Sequence, residues 1–320
     1  MSPPPIVSDA VDARSLGVAA FPVAPARAPA ASGDNVALGI AYIVGSTVFF
    51  SAGDIAAKML TATIPAVEIA WMRYVVLCAL VLPAVFWMGG AKRLATTRMQ
   101  FHILRGLGMV ISSLVFMVAL AHMPVAEATA INFVSPIFIT ALSIPLLGEK
   151  VGMRRWIAAA VGLTGVIIVV QPGGASFQLA ALLPAASAAI WAFTAILTRL
   201  MSDERPEATL AWSGIVGLVT LSMALPFAWV TPTGAEIGYA LLMGVGSTVG
   251  HWLLVLGYRR AGASLLAPFT YVQLLWASAF GFLVFGALPG ASTLLGGAVI
   301  AASGLYTAHR ERVRARMARA

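Results

Sequence analysis

The sequence predicts an all-α integral membrane protein whose ten transmembrane helices form two inverted five-helix repeats. Three observations lead there. Apolar residues make up 60% of the 320 and charged residues only 10%, against about 25% charged in an ordinary soluble domain, and the mean hydropathy is +0.92. The apolar residues gather into ten stretches, most of them of about 20 residues, the length that spans ~30 Å of hydrocarbon at 1.5 Å per residue. Basic residues follow every second stretch, so the loops alternate in charge.

Residues 1–35 come first, rich in Pro and Ala and poor in bulky apolar side chains. Such a segment cannot bury enough surface to offset its chain entropy, and a disordered cytoplasmic tail is expected. Asp9, Asp12 and repeated prolines interrupt the unbroken apolar run that a signal peptide requires. The ten expected spans cover 36–57, 66–88, 100–122, 126–147, 155–171, 179–200, 208–230, 236–258, 264–286 and 290–308. Short connections leave no room for an inserted soluble domain. Residues 309–320 form a basic tail. Cys78 is the only cysteine, so no intramolecular disulfide can form.

The positions of the basic residues set the orientation. Lys92, Arg93, Arg98 and Arg105 follow span two, Lys150, Arg154 and Arg155 span four, Arg199 and Arg205 span six, and Arg259 and Arg260 span eight. The loops after spans three, five, seven and nine carry none, and the one after span one begins with Lys58 alone. By the positive-inside rule both termini are cytoplasmic, in a multi-pass protein of the cytoplasmic (inner) membrane. The net charge of +8 is thereby explained as a topology signal. Nucleic acid is not an expected partner, whereas membrane lipid is.

A shift of 138 positions pairs Gly106 with Gly244, Gly108 with Gly246, Gly148 with Gly286 and Gly152 with Gly290, and also Phe133 with Tyr271. It sets the basic loop 148–155 against the neutral 286–293, and neutral Ala121 against Arg259. Five is an odd number of spans, so the second copy enters the membrane upside down and its loop charges must exchange. The two repeats are placed at 36–171 and 172–308. Inverted halves can exchange conformations around a central site, which is the architecture of alternating access.

The stretches "FFSAGDIAAKML" (49–60), "PAVEIAWMRY" (65–74), "LAHMPVAEATAINFVSPIF" (120–138), "LLGEK" (146–150) and "GASLLAPFTYVQLLWASAFGFLVFGA" (262–287) resemble the EamA-type proteins of the drug/metabolite transporter superfamily in order and spacing, over roughly residues 36–308. The family often ends span nine with Gly-Glu; here Gly286 is followed by Ala287. The resemblance implies a carrier of small organic solutes such as amino acids, nucleosides or vitamins, flavins among them.

Candidate site residues are the polar groups that lipid alone would not tolerate. Asn132 and Ser135, three apart beside Pro136, are expected on one helix face in span four, and the shift sets Thr270 and Gln273 opposite them in span nine. Either these spans face a shared polar cavity, or the groups join helix to helix. Tyr271, Trp276 and Trp191, with Thr194 on the Trp191 face, are expected to wall a site for a ring-bearing or amphipathic solute. His251 stands near mid-membrane as a proton carrier or a hydrogen-bonded core residue. Asp54, Glu68, Arg73 and Glu127 fall in the outer half of the membrane. Arg73 lies about 12 Å below the surface at helical rise, so a counter-charge or water is required, with Asp54 and Glu68 as the expected partners.

An intramembrane enzyme has no support: the four histidines are scattered, and neither H-E-x-x-H nor G-x-S-x-G occurs. No cofactor or metal is expected. Without a G-x-x-x-x-G-K-[ST] loop, active transport would draw on a proton, ion or substrate gradient, or on another subunit. A secondary transporter of a small organic metabolite is the leading expectation. The alternative is a flippase for a lipid-linked sugar or another amphipathic lipid intermediate.

Overall fold

A computed structural model describes residues 33–147, 153–171, 179–201, 204–260 and 269–317. The tail at 1–32, the Gly148–Lys150 exit, Gly173 and the Pro268 region lie outside the described residues. Eleven α-helices fall within them: α1 (Gly33–Leu60), α2 (Ala66–Gly89), α3 (Met99–His122), α4 (Val125–Asn132), α5 (Ser135–Leu147), α6 (Met153–Val170), α7 (Leu182–Leu200), α8 (Pro206–Ala224), α9 (Gly234–Arg260), α10 (Val272–Phe285) and α11 (Ala291–Met317). Seven apolar segments are long enough to cross a membrane, with α4 and α5 together counting as one. Three shorter ones cover Ala160–Val170, Val272–Phe285 and Ala291–Ser303.

Local chemistry sets the helix boundaries. Pro65 and Pro124 stand at extended φ/ψ before α2 and α4, and Pro206 opens α8, positions where a missing N–H costs nothing. Gly286 ends α10 at φ 66°, its N–H donating to the Phe282 carbonyl. That left-handed cap suits glycine whether residue 287 is acidic or, as here, alanine.

Span four corrects the sequence expectation. It is two helices rather than one, and the break is at Phe133 and Val134, not at Pro136. Proline has no N–H to donate to the carbonyl four residues back, that of Asn132, but is welcome in a first turn, so α4 ends at Asn132 and Ser135 and Pro136 start α5. Asn132 and Ser135 therefore sit on separate helices either side of the break instead of sharing a face. Tyr271, which the 138-residue shift pairs with Phe133, immediately precedes α10.

The helices pack as α1 on α9, α3 on α7, α2 on α8 and α6 on α11, with α4 against α10. Glycines permit the closest approaches. A side chain at Gly106 would strike Val216 on α8, and one at Gly108 would strike Thr194 on α7. At the paired positions, Gly244 faces Val76 on α2, and Gly246 faces the Phe49 carbonyl on α1. Between α6 and α11, the Gly165 and Gly296 backbones lie against each other. One core cluster runs from Ile55 and Leu60 through Leu120 and Ile131 to Ala277 and Ile300, joining early and late helices. Outside it, Ile167, Val219, Leu241, Leu283 and Leu294 are exposed, an apolar perimeter suited to lipid.

Candidate functional site

Two linkers meet at the end of the bundle that carries the basic loops. Arg93 donates to Glu207 at 2.6 Å, Thr96 to Glu204 at 2.7 Å, Arg98 to the Leu200 carbonyl at 2.5 Å and Trp212 to the Leu94 carbonyl at 2.9 Å. Arg105 belongs with them. The sequence placed it among the loop cations, but it lies two turns into α3 and is only 7% exposed. Its Nε donates to Thr198 Oγ1 at 2.7 Å, and its Nη1 to Ser213 Oγ and to the Thr209 carbonyl. It thus joins α3 to α7 and α8 inside the bundle. His102, one turn earlier, is fully buried with Nε2 3.9 Å from Glu204.

The middle of the bundle holds most of the expected site residues. His251 on α9 meets Phe50 of α1 edge-on at 4.9 Å and Trp191 of α7 at 6.4 Å, and its Nδ1 is 2.8 Å from the Ser247 carbonyl. Gln273 on α10 donates to Asp54 Oδ2 of α1 at 3.3 Å, and its carbonyl accepts from Ser51 at 3.2 Å. Phe133 and Tyr271 touch ring to ring at 5.1 Å, so the break in span four lies directly against the start of α10. Trp276 stacks on Phe280.

Around that junction several buried polar atoms have no partner among the described residues: Asn132 Oδ1 and Thr129 Oγ1 on α4, and Trp276 Nε1 on α10. Leaving such a group unmet costs about 1–3 kcal/mol. Both a donor and acceptors are thus available where two helices are interrupted. Ser135 is half-buried beside them.

Other expected residues are used differently. Thr194 is 2% exposed and donates back to the Trp191 carbonyl at 2.8 Å, so its hydroxyl is consumed by its own helix. Arg73 has no carboxylate within 4.0 Å among the described residues, contrary to the expected pairing with Asp54 or Glu68. Its Nη2 donates to Ser113 Oγ on α3, and its guanidinium lies 5.3 Å from the Tyr74 ring centre. Glu68 is fully buried in the first turn of α2, where one oxygen accepts from the Val230 N–H at 2.9 Å and the other has no partner among the described residues. Glu127 is half-buried at the start of α4. Lys58 reaches the Leu120 and Met123 carbonyls at 2.6 and 2.9 Å, capping α3.

A pocket of about 220 Å³ opens beside that cap, lined by Lys58, His122, Pro124, Gly281, Phe285 and Pro289 among others. None of the expected site residues lines it. Among the described residues no group of three or more His, Cys, Asp or Glu could hold a metal ion.

Comparison with known proteins shows the family. The chain is 32% identical over 263 residues to a riboflavin transporter of Vibrio cholerae, covering 80% of this chain and 87% of that one. It is 28% identical over 276 residues to an S-adenosylmethionine uptake transporter of Rickettsia bellii, covering 86% and 94%. A solved crystal structure matches with a TM-score of 0.63 at 18% identity, covering 86% of this chain and 97% of that one, which supports the fold alone. The EamA-like transporter family model matches twice, at residues 37–171 and 178–308. The chain is a multi-pass membrane transporter that belongs to the EamA-like transporter family.

Proposed function

We propose that this protein is a secondary transporter that binds a ring-bearing metabolite where α4 and α10 meet, and exposes it alternately to the two sides of the cytoplasmic membrane. The observation that carries this reading is the set of unpartnered buried atoms there: Asn132 Oδ1, Thr129 Oγ1 and Trp276 Nε1, next to the Phe133–Tyr271 contact. A solute with hydrogen-bonding groups on a flat ring would satisfy those atoms and pack against the aromatic faces of Tyr271, Trp276 and Trp191. The solutes named for the two relatives both contain a fused nitrogen heterocycle. Neither relative lends support to a lipid-linked sugar.

Ten spans in two inverted five-helix halves, with both termini in the cytoplasm, complete the reading. Its support is the double match of the family model, the breaks at Phe133 and Tyr271, and the paired close approaches at Gly106 and Gly244. Two halves of similar packing energy can trade conformations, which opens a shared site to one side at a time. A proton, ion or solute gradient supplies the driving force.

The test is counterflow by purified protein in liposomes, across labelled flavins, nucleosides and amino acids. At least one heterocyclic solute is expected to exchange with itself and to be competed by its close analogues. Exchange confined to amphipathic lipid intermediates would replace the carrier reading with the flippase. Reporters at either terminus should read cytoplasmic, and one in the 61–65 turn should read outside.

A further inference from the structure

Arg73 is the charge of the central region that the fold does not use. It lies two turns into α2 and is half-buried, and among the described residues its Nη2 donates to a neutral hydroxyl, Ser113 Oγ, rather than to a carboxylate. A guanidinium carries five N–H donors, so most of its capacity is unspent. Neither acid that could have paired with it comes within 4.0 Å: Asp54 accepts from Gln273 at 3.3 Å, and Glu68 accepts the Val230 N–H with one oxygen at 2.9 Å. Arg105 is the contrasting case, its donors distributed over Thr198, Ser213 and the Thr209 carbonyl. One arginine has its donors spread over two neighbouring helices, while the other meets, among the described residues, no counter-charge within 4.0 Å.

An arginine inside a membrane bundle ordinarily pairs with an anion or faces a water-filled cavity. Its planar fork matches the two oxygens of a carboxylate or phosphate better than any neutral group does. Through Ser113 Arg73 joins α2 to α3, and Ser113 is the position that the 138-residue shift pairs with His251, the residue that meets Phe50 and Trp191. The Tyr74 ring beside it offers a weak cation–π contact but no counter-charge.

We propose that Arg73 is the anchor for an anionic oxygen group, a carboxylate or a phosphate, on the transported solute. This rests on the transporter reading above, to which it adds the substrate class: a heterocycle with an acidic substituent. Asp54, nearby but out of contact, tempers the attraction, so that the bound anion can leave again.

The experiment is calorimetric titration of the full-length protein in lipid nanodiscs with two matched pairs of probes. Flavin mononucleotide against riboflavin isolates a phosphate; phenylalanine against phenylalanine amide isolates a carboxylate. In at least one pair the member bearing the anionic group should bind tenfold or more tightly than its counterpart, and the pair in which this happens identifies the group. Arg73→Gln should erase that preference and Arg73→Lys should retain part of it. No preference in either pair, or a preference that survives Arg73→Gln, overturns the proposal. If Arg73→Gln does not purify as a folded protein, Asp54→Asn decides: it should tighten the acidic probe at least threefold relative to its neutral partner, and equal binding overturns the proposal. Binding preference without liposome exchange would refute the transporter reading alone. Exchange without the preference would refute the anchor alone.

Discussion

The linkers at the basic end and the junction of α4 with α10 handle polar groups in opposite ways. At the basic end Arg93, Arg98, Arg105, Thr96 and Trp212 each reach an acceptor on the other side of the contact, His102 being the exception whose ring nitrogens bond to nothing among the described residues. At the junction Asn132, Thr129 and Trp276 reach none. Completed sets of hydrogen bonds fix how helices stand, and each added partner deepens a single arrangement. An incomplete set costs stability and is tolerated where something else will complete it. One region holds helices together; the other is where the proposed solute would complete the set.

Replacing Arg105 should have the largest effect. Arg105→Leu removes charged hydrogen bonds to α7 and α8 at once, and about 3 kcal/mol of stability should be lost. The readout is a lower melting temperature and a smaller monodisperse fraction in detergent, with solute affinity per folded molecule unchanged. If affinity fell while the melting temperature held, Arg105 would belong to the site and the contrast between the two regions would fail.

Asn132→Leu should show the reverse. Solute exchange is expected to drop about thirtyfold, equivalent to about 2 kcal/mol of lost hydrogen bonding. Thermal stability should hold or rise, because a buried acceptor without a partner has been removed. A fall in stability with proportionate loss of flux for every solute would make Asn132 a helix-to-helix contact instead.

The smallest effect is expected at Glu207. Its pairing with Arg93, whose side chain is 35% exposed, is open enough to be screened by solvent, and Glu207→Gln should cost only about 0.2–1 kcal/mol. Raising the salt concentration should shrink that difference further. A cost as large as that of Arg105→Leu would mean that the basic end is held by its linkers rather than by its buried arginine.

The sequence disclosed what the solvent dictates. Apolar length and the alternation of loop charge are imposed by a bilayer on any chain that crosses it, and seven apolar helical segments long enough to cross one stand close to where spans were expected. Partner choice was less legible. Arg105 was assigned to a loop because three other cations precede it closely; the available signal was the set of hydroxyls at Thr198, Thr209 and Ser213 inside otherwise apolar helices. Arg73 was expected to find an acid, yet whether a side chain meets Asp54 or Ser113 depends on helix rotation, which charge counting cannot supply. The break in span four is written in the sequence only as the proline itself: Pro136 has no N–H to donate four residues back, and α4 ends there, at Asn132. Asn132 was selected for its polarity alone. That its carbonyl oxygen lacks a partner became visible only when neighbouring helices were in place.

The contact between Gly165 and Gly296 has a genetic consequence. A side chain at 165 would stand 2.7 Å from the Gly296 carbonyl, and one at 296 would collide with the Gly165 carbonyl in turn. In most paired contacts a larger residue on one side can be offset by a smaller one opposite. Here both members already have the smallest side chain in the code, and any single-nucleotide change in a glycine codon that still encodes an amino acid either is silent or adds a Cβ. Suppressors of a substitution at either codon must therefore arise elsewhere, at neighbours such as Val169 or Ile300 whose side chains can be trimmed.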